Sequence, residues 1–250
     1  MPRRKPEPRP AVSPRRPRTP STSLAELAYE RLEEMIVTCT LAPGTFLALQ
    51  DLQEQTGLGR TPIHQAVNRL AADTLILVRP RHGLQIAPVD LARERTLLRL
   101  RRDMERFVVR LAAERSRASE RNQLLHIAGR LRNRTGAMTL VEFNQLDRHI
   151  DDLLIAAAGE SFLEHTLQPL HTIFRRIGWI YHSRVRPEEG LDRTLDCHLA
   201  IVEAVAAGSI DAAVAASDRL IDFSDSMFDV LGDGIDPALF DCNLGLRAAD

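Results

Sequence analysis

GLGRTPIHQAVNRL, residues 57–70, is the stretch on which the fold turns. Within it Ile63, Ala66, Val67 and Leu70 fall at i, i+3, i+4 and i+7, one apolar face of a helix that must pack inward. The opposite face then carries Thr61, His64, Gln65 and Asn68, with Arg60 just ahead of the helix and Arg69 on its flank. Thr61 is placed to be the N-cap, with Pro62 at the first helical position, where a missing N–H costs nothing.

Working outward, QDLQEQTG (residues 50–57) predicts a short helix stopped at Gly57. Before it, Pro43-Gly44 makes a turn that ends a first helix. That helix holds Leu24, Leu27, Ala28, Leu32, Met35 and Ile36 at helical spacing, with Ser23 placed to cap it. Downstream, ILVRP and LQIAP are two β-like runs flanking Arg81-His82-Gly83, a hairpin with a basic tip. Helix, helix, tight turn, helix and hairpin is the order of a winged helix-turn-helix. In that arrangement the polar face of the third helix offers donors and acceptors to base edges, and its N-terminus offers free N–H groups to phosphate. Arg79, Arg81 and His82 would meet the DNA backbone or minor groove, with Gly83 allowing close approach. An exposed helix of any protein also shows polar residues opposite its core, so spacing alone leaves DNA reading and a solvated face both open.

From about Asp90 the texture changes to long helical periodicity, broken near Ala118-Ser119, Gly136, Gly159, Arg186-Pro187 and Gly208-Ser209. We therefore expect a mainly α protein: a basic arm over 1–22, a winged helix-turn-helix over 23–89, an all-helical bundle of about six helices over 90–231, and a loose tail over 232–250. Composition agrees. Of 250 residues 44 % are hydrophobic but only 4 % aromatic, which suits helices packed through aliphatic side chains. The net charge of −1 hides an uneven distribution: residues 1–22 hold seven basic side chains against one acid, whereas 23–90 hold five against eight. Lys5 is the only lysine, and guanidinium groups favour bidentate phosphate or guanine contacts, although base composition of the genome explains the bias equally well. Seven prolines before Ser21 rule out an amphipathic targeting helix. Cys39, Cys197 and Cys242 have no metal-ligand spacing, and no apolar run approaches a membrane span, so a cytoplasmic location is expected.

The run from Tyr29 to Asp90 resembles the DNA-binding domain of the GntR family of bacterial transcription regulators. The shared pattern is PG, a short helix, GxxRTPhxxAhxRL with h hydrophobic, and an RxGhxh wing. The resemblance implies that Arg60 contacts DNA and that Gly83 is the wing glycine. A second arginine of the family falls at His64, so an arginine–guanine contact is not implied there, and His64 is expected to change operator preference.

LLRLRRDMERFVVRLAAERSRA, LDRHIDDLLIAAAGESFL and DCHLAIVEAVAAGSIDAAVAASDRLI resemble helices of the FCD effector domain, the FadR-type C-terminal domain. That resemblance implies a bundle that binds a small carboxylate, sugar acid or acyl group, in many members beside a divalent metal. The family's metal ligands are an Asp, a His four residues on, and two later His. They map to Asp147, Asp151 in place of the first His, His198, and Leu220 in place of the last. Asp147, Asp151 and His198 would suit Mg²⁺ or Mn²⁺ better than zinc. The favoured alternative is that the metal site is lost and the ligand is recognised directly. Arg101 matches a family arginine that faces the cavity, the candidate cation for a carboxylate, and an exposed guanidinium is the competing reading. FRRIGWIYHSR adds Trp179 and Tyr181 as an aromatic wall for a planar ligand, or as ordinary core or dimer packing.

No Gly-rich phosphate loop, nucleophile elbow or Cys-His pair accompanies these helices, so catalysis is not expected. The alternatives are an architectural DNA-binding protein without an effector, and a metal-dependent hydrolase built on Asp147, Asp151 and His198. The partners expected are an operator duplex, a small-molecule effector and a second copy of the chain, with repression the expected sign.

Overall fold

The computed structural model describes residues 23–133 and 138–234. The expected basic arm, the break at Gly136 and residues 235–250 of the expected tail lie outside that range.

The N-terminal unit runs α1 (Leu24–Val37), β1 (Phe46–Leu47), α2 (Leu49–Thr56), α3 (Arg60–Ala72), β2 (Ile76–Arg79) and β3 (Gly83–Ile86). The Ser23 hydroxyl accepts from the Glu26 amide at 3.1 Å, which caps α1, a contact worth about 1 kcal/mol. Gly57 ends α2 in the left-handed region at φ 68°. Helix α3 begins earlier than its sequence signals: Gly59 is its N-cap and Arg60 its first residue, so Pro62 sits third. Proline is tolerated there because no amide of the first turn has an intrahelical acceptor.

The wing is a three-stranded antiparallel sheet in the order β1-β3-β2. Strand β3 pairs Leu84 with Val78 on one side and with Leu47 on the other. Two residues of strand had no signature in the sequence, and β1 went unforeseen. Ile63, Ala66, Val67 and Leu70 of α3 are buried against Ala28, Leu32 and Ile36 of α1, as the apolar face requires. Complete burial of a side chain of this size contributes roughly 1.5–3 kcal/mol.

Six helices follow among the described residues: α4 (Leu91–Arg115), α5 (Ala118–Arg132), α6 (Leu140–Ala158), α7 (Ser161–Ile180), α8 (Asp192–Ala206) and α9 (Ile210–Gly234). Helix α9 runs past the expected boundary at Leu231. After α7 the chain widens into a π turn, Tyr181–Val185, before Pro187 starts a short 3₁₀ turn. The bundle core is aliphatic, with Val108, Leu124, Ile150, Leu167 and Val202 among its buried members. Side chains cross the domain division: Leu97 of α4 packs against the core of the N-terminal unit, to which Ile173 of α7 belongs. Next to it, Arg176 is 1 % exposed, donates to the Ala87 carbonyl at 2.7 Å and pairs with fully buried Glu94 at 2.9 Å. The connector between the two units is thus bolted to α7.

Candidate functional site

Two surfaces carry the polar chemistry. The first is the outer face of α3 with the wing. Arg60, Thr61, His64, Gln65 and Asn68 are all exposed on it, and Asn68 Nδ2 lies 3.3 Å from His64 Nδ1. Gly59 supplies no side-chain cap, so the amides of Arg60 and Thr61 remain open at the positive end of the helix. Arg69 is engaged elsewhere. Its Nη1 pairs with Glu26 at 2.6 Å, and its guanidinium lies 3.9 Å from the Tyr29 ring centroid, which ties α3 to α1.

On the wing, Arg79 Nε donates to Gln85 Oε1 at 2.8 Å, while exposed Arg81 stands at the hairpin tip with φ 68°. The His82 ring sits edge-on to Phe46, with centroids 6.3 Å apart. Gly83 has φ 83°, and a Cβ built there would lie 2.9 Å from the Leu47 carbonyl oxygen. The close approach that Gly83 permits is therefore to strand β1 of its own sheet.

The second surface is a cavity inside the helical bundle. It is small: the centre of a water molecule can move through about 60 Å³ of it, which suits a compact ligand. Arg101 (α4), Asp147 (α6), Arg175 and Trp179 (α7), His182 (π turn) and His198 (α8) all line it, among apolar walls that include Phe143, Phe174 and Leu220. A mostly apolar cavity with a few convergent polar groups is the usual form of a small-molecule site.

His198 illustrates its electrostatics. Its Nδ1 lies 2.7 Å from the Thr194 carbonyl, which only accepts, so Nδ1 carries a proton. Nε2 lies 2.8 Å from Asp147 Oδ1. Burial pulls the imidazole pKa down, but the Asp147 carboxylate outweighs it and the net shift is upward, which favours an imidazolium donating from both nitrogens. For Asp147, burial pushes up while His198, Arg175 and Arg101 push down, and the net shift is downward.

Asp151 does not line the cavity. Its Oδ2 lies 3.2 Å from Nδ1 of His171, whose Nε2 lies 2.8 Å from Glu105 Oε1. Glu105 also accepts from Arg101 Nε at 3.0 Å. One imidazole thus serves two carboxylates. Glu105, which has Arg101 as well, falls to about 2 against its burial, whereas burial raises Asp151 to about 7. The expected trio of Asp147, Asp151 and His198 is therefore not assembled. Asp147 and His198 bind each other, and Asp151 has turned to a histidine the sequence reading did not consider. Among the described residues no three His, Cys, Asp or Glu side chains converge as metal ligands, so these residues do not fit a divalent ion and no step is derived through one.

Trp179 lines the cavity, but Tyr181 does not: its hydroxyl donates to Glu189 Oε2 at 2.5 Å, and its ring packs edge-on to His182. Arg101 is buried, 7 % exposed, which decides against the surface reading of that guanidinium. Arg175 and His182 are site residues the sequence reading passed over, although both lie in the stretch it quoted for its aromatics. Two arginines in a helix otherwise apolar at Leu170, Ile173, Phe174 and Ile177 were the available signal. Arg175 and His182 each have a buried nitrogen without a hydrogen-bond partner, Nε and Nδ1 respectively.

A winged helix-turn-helix with an exposed polar third helix, joined to a cavity-bearing helical bundle, defines a ligand-sensing DNA-binding regulator. Comparison with known proteins narrows this. The model of the bacterial regulatory proteins, gntR family, matches residues 24–86, and the FCD domain model matches residues 96–223. The HTH-type transcriptional repressor RspR of Escherichia coli (strain K12) is 28 % identical over 186 residues, covering 74 % of this chain and 80 % of RspR. In fold the chain is similar to E. coli McbR/YncC, with TM-score 0.72, 17 % identity, and coverage of 84 % of this chain and 98 % of that one. It is also similar to a putative GntR transcriptional regulator from Rhodococcus sp. RHA1, with TM-score 0.61, 18 % identity, and 84 % and 98 % coverage. The chain belongs to the GntR family and carries an FCD domain: it is a DNA-binding transcription regulator with an effector-binding domain.

Proposed function

We propose that the protein is a homodimeric repressor that holds a palindromic operator and is released by a small carboxylate metabolite bound in the bundle cavity. The observation that carries the effector class is the charge of the lining. Arg101, Arg175 and His198 face the cavity against one carboxylate, Asp147, and Arg175 Nε and His182 Nδ1 have no hydrogen-bond partner. Arg175 Nε is a buried donor without an acceptor, at a cost of roughly 1–3 kcal/mol, and a ligand carboxylate would remove that cost. The pairing of Asp147 with His198, with Asp151 turned away to His171, favours direct recognition of the ligand.

Repression is supported by RspR, which is named a transcriptional repressor. A dimer is supported by Leu100 and Phe107, both about half exposed and seven residues apart on α4, which gives that helix an apolar face toward solvent. Two copies related by a twofold axis would set two α3 helices on successive major grooves. Ligand binding then acts by favouring a spacing of those helices that fits DNA less well. No helix among the described residues is long and apolar enough to cross a membrane, and action on the bacterial chromosome in the cytoplasm follows from the DNA-reading role.

The test is selection of duplexes from a random pool by the purified full chain, followed by titration of the selected site with a panel of small carboxylates. Recovery of an inverted repeat whose binding weakens with a subset of the panel is expected. A non-palindromic consensus, or a dimer indifferent to every carboxylate while responding to neutral or cationic metabolites, would overturn the reading.

A further inference from the structure

Arg175 stands between two anion sites that belong to different parts of the molecule. On one side it lines the bundle cavity. On the other its Nη2 donates to Glu33 Oε1 at 2.9 Å, and Glu33, 1 % exposed, lies on α1 of the DNA-reading unit. The Thr172 hydroxyl also donates to Glu33, and Arg148 Nη1 lies 3.0 Å from its other oxygen. A guanidinium takes a carboxylate best through two parallel N–H···O bonds from one edge, and Nε and Nη2 share such an edge. Here that edge is half used: Nη2 serves Glu33 and Thr172, while Nε is buried without a partner.

We propose that Arg175 couples the cavity to the DNA-reading unit: a ligand carboxylate and Glu33 compete for one guanidinium edge, so ligand binding unfastens α1 from α7. This rests on the reading of the cavity as an anion-binding effector site. Nε is buried, so the guanidinium must turn to present that edge to a ligand, which draws Nη2 from Glu33 and leaves a buried carboxylate served only by Arg148 and Thr172. Helix α1 is the surface on which α3 packs, through Leu32 and Ile36 against Ile63 and Leu70, so its position sets that of the DNA-contacting helix. The neighbouring Arg176 keeps its hold on Ala87 and Glu94, which confines the loosening to α1 and leaves the connector fixed.

The experiment uses the full chain, succinate as the probe, calorimetry for affinity, and hydrogen–deuterium exchange for α1. Glu33→Gln keeps the shape but withdraws the competing charge, and it should bind succinate at least about threefold more tightly than wild type. In wild type, about 50 mM succinate should speed exchange of the α1 amides, a concentration at which even millimolar affinity registers. Arg175→Lys keeps the charge beside Glu33 but offers no fork, and its α1 exchange should not respond; this variant carries the test if Glu33→Gln does not fold. Equal affinity in wild type and Glu33→Gln, or α1 exchange that ignores bound succinate, would overturn the coupling while leaving the cavity as an anion site. Absence of succinate binding in every variant, with operator affinity intact, would overturn both the coupling and the carboxylate reading of the cavity.

Discussion

Gly83→Ala beside the wing tip separates two costs that the structure allows to be reasoned about apart. Gly83 has φ 83°, a conformation that disfavours any Cβ by about 1–2 kcal/mol. A Cβ there would also lie 2.9 Å from the Leu47 carbonyl oxygen, and that oxygen is backbone, which cannot swing aside as a side chain would. Relieving the contact means pushing β1 from β3 by a few tenths of an ångström, for a combined cost of roughly 2–4 kcal/mol. Gly57 is the internal control. It has φ 68°, but nothing lies within 4 Å of its added Cβ, so Gly57→Ala should cost only the conformational part, about 1 kcal/mol. Hydrogen exchange reads the difference locally, because the Ile86 amide donates to the Thr45 carbonyl and the Gly44 amide to the Ile86 carbonyl. Those two amides should exchange about 30-fold or more faster in Gly83→Ala, with α4 to α9 unchanged, and operator affinity should fall with the wing. If Gly83→Ala is no more costly than Gly57→Ala, the account of β1 as a brace for the wing is wrong.

Three further outcomes follow from the site. Arg60→Ala, at an exposed position, should cost about 1–3 kcal/mol of binding to the selected operator without moving the melting temperature; Arg69→Ala, tied to Glu26 and Tyr29, should instead cost about 1 kcal/mol of stability and leave base preference unchanged. Arg176→Met strands fully buried Glu94 and should cost about 3–5 kcal/mol in urea unfolding, with the double variant Glu94→Gln/Arg176→Met recovering part of it; a double variant as unstable as the single would refute the pairing. Asp147→Asn should have a pH-dependent cost. His198 is shifted up, so its contribution is complete below about 6.5 and fades as pH rises through its folded value; Asp147 is shifted down, so its contribution is complete above 3.8 and fades as pH falls through its folded value. The penalty, about 1–3 kcal/mol, should therefore be greatest between those limits and shrink as pH rises through the folded value of His198, and a flat profile of unfolding free energy against pH would contradict the ion pair.

Much of this was legible in the sequence because it rests on periodicity and on turn residues. The inward face of α3, the Ser23 cap, the stop at Gly57 and the six helices of the bundle all follow from side-chain spacing and backbone preference. Strand β1 was not legible, since a two-residue strand is defined by its pairing with β3 across the chain. The start of α3 was misplaced because Thr-Pro is a strong cap signal that Gly59, with no side chain to read, displaced. In the cavity, Asp147 and His198 were foreseen by resemblance, whereas Asp151 was misassigned because its partner, His171, stands on another helix 20 residues farther along. Long-range pairings of buried charge, such as Arg176 with Glu94 or Arg175 with Glu33, leave no local trace.

The central claim is that the outer face of α3 reads base sequence. Equilibrium binding of the full chain to its selected duplex and to a scrambled duplex, at one fixed salt concentration, tests it directly. The account predicts a preference of about 1,000-fold or more for the selected duplex, reduced by Arg60→Ala. Equal affinity for the two duplexes, falling together as salt rises, would mean that only phosphate is recognised and would contradict it.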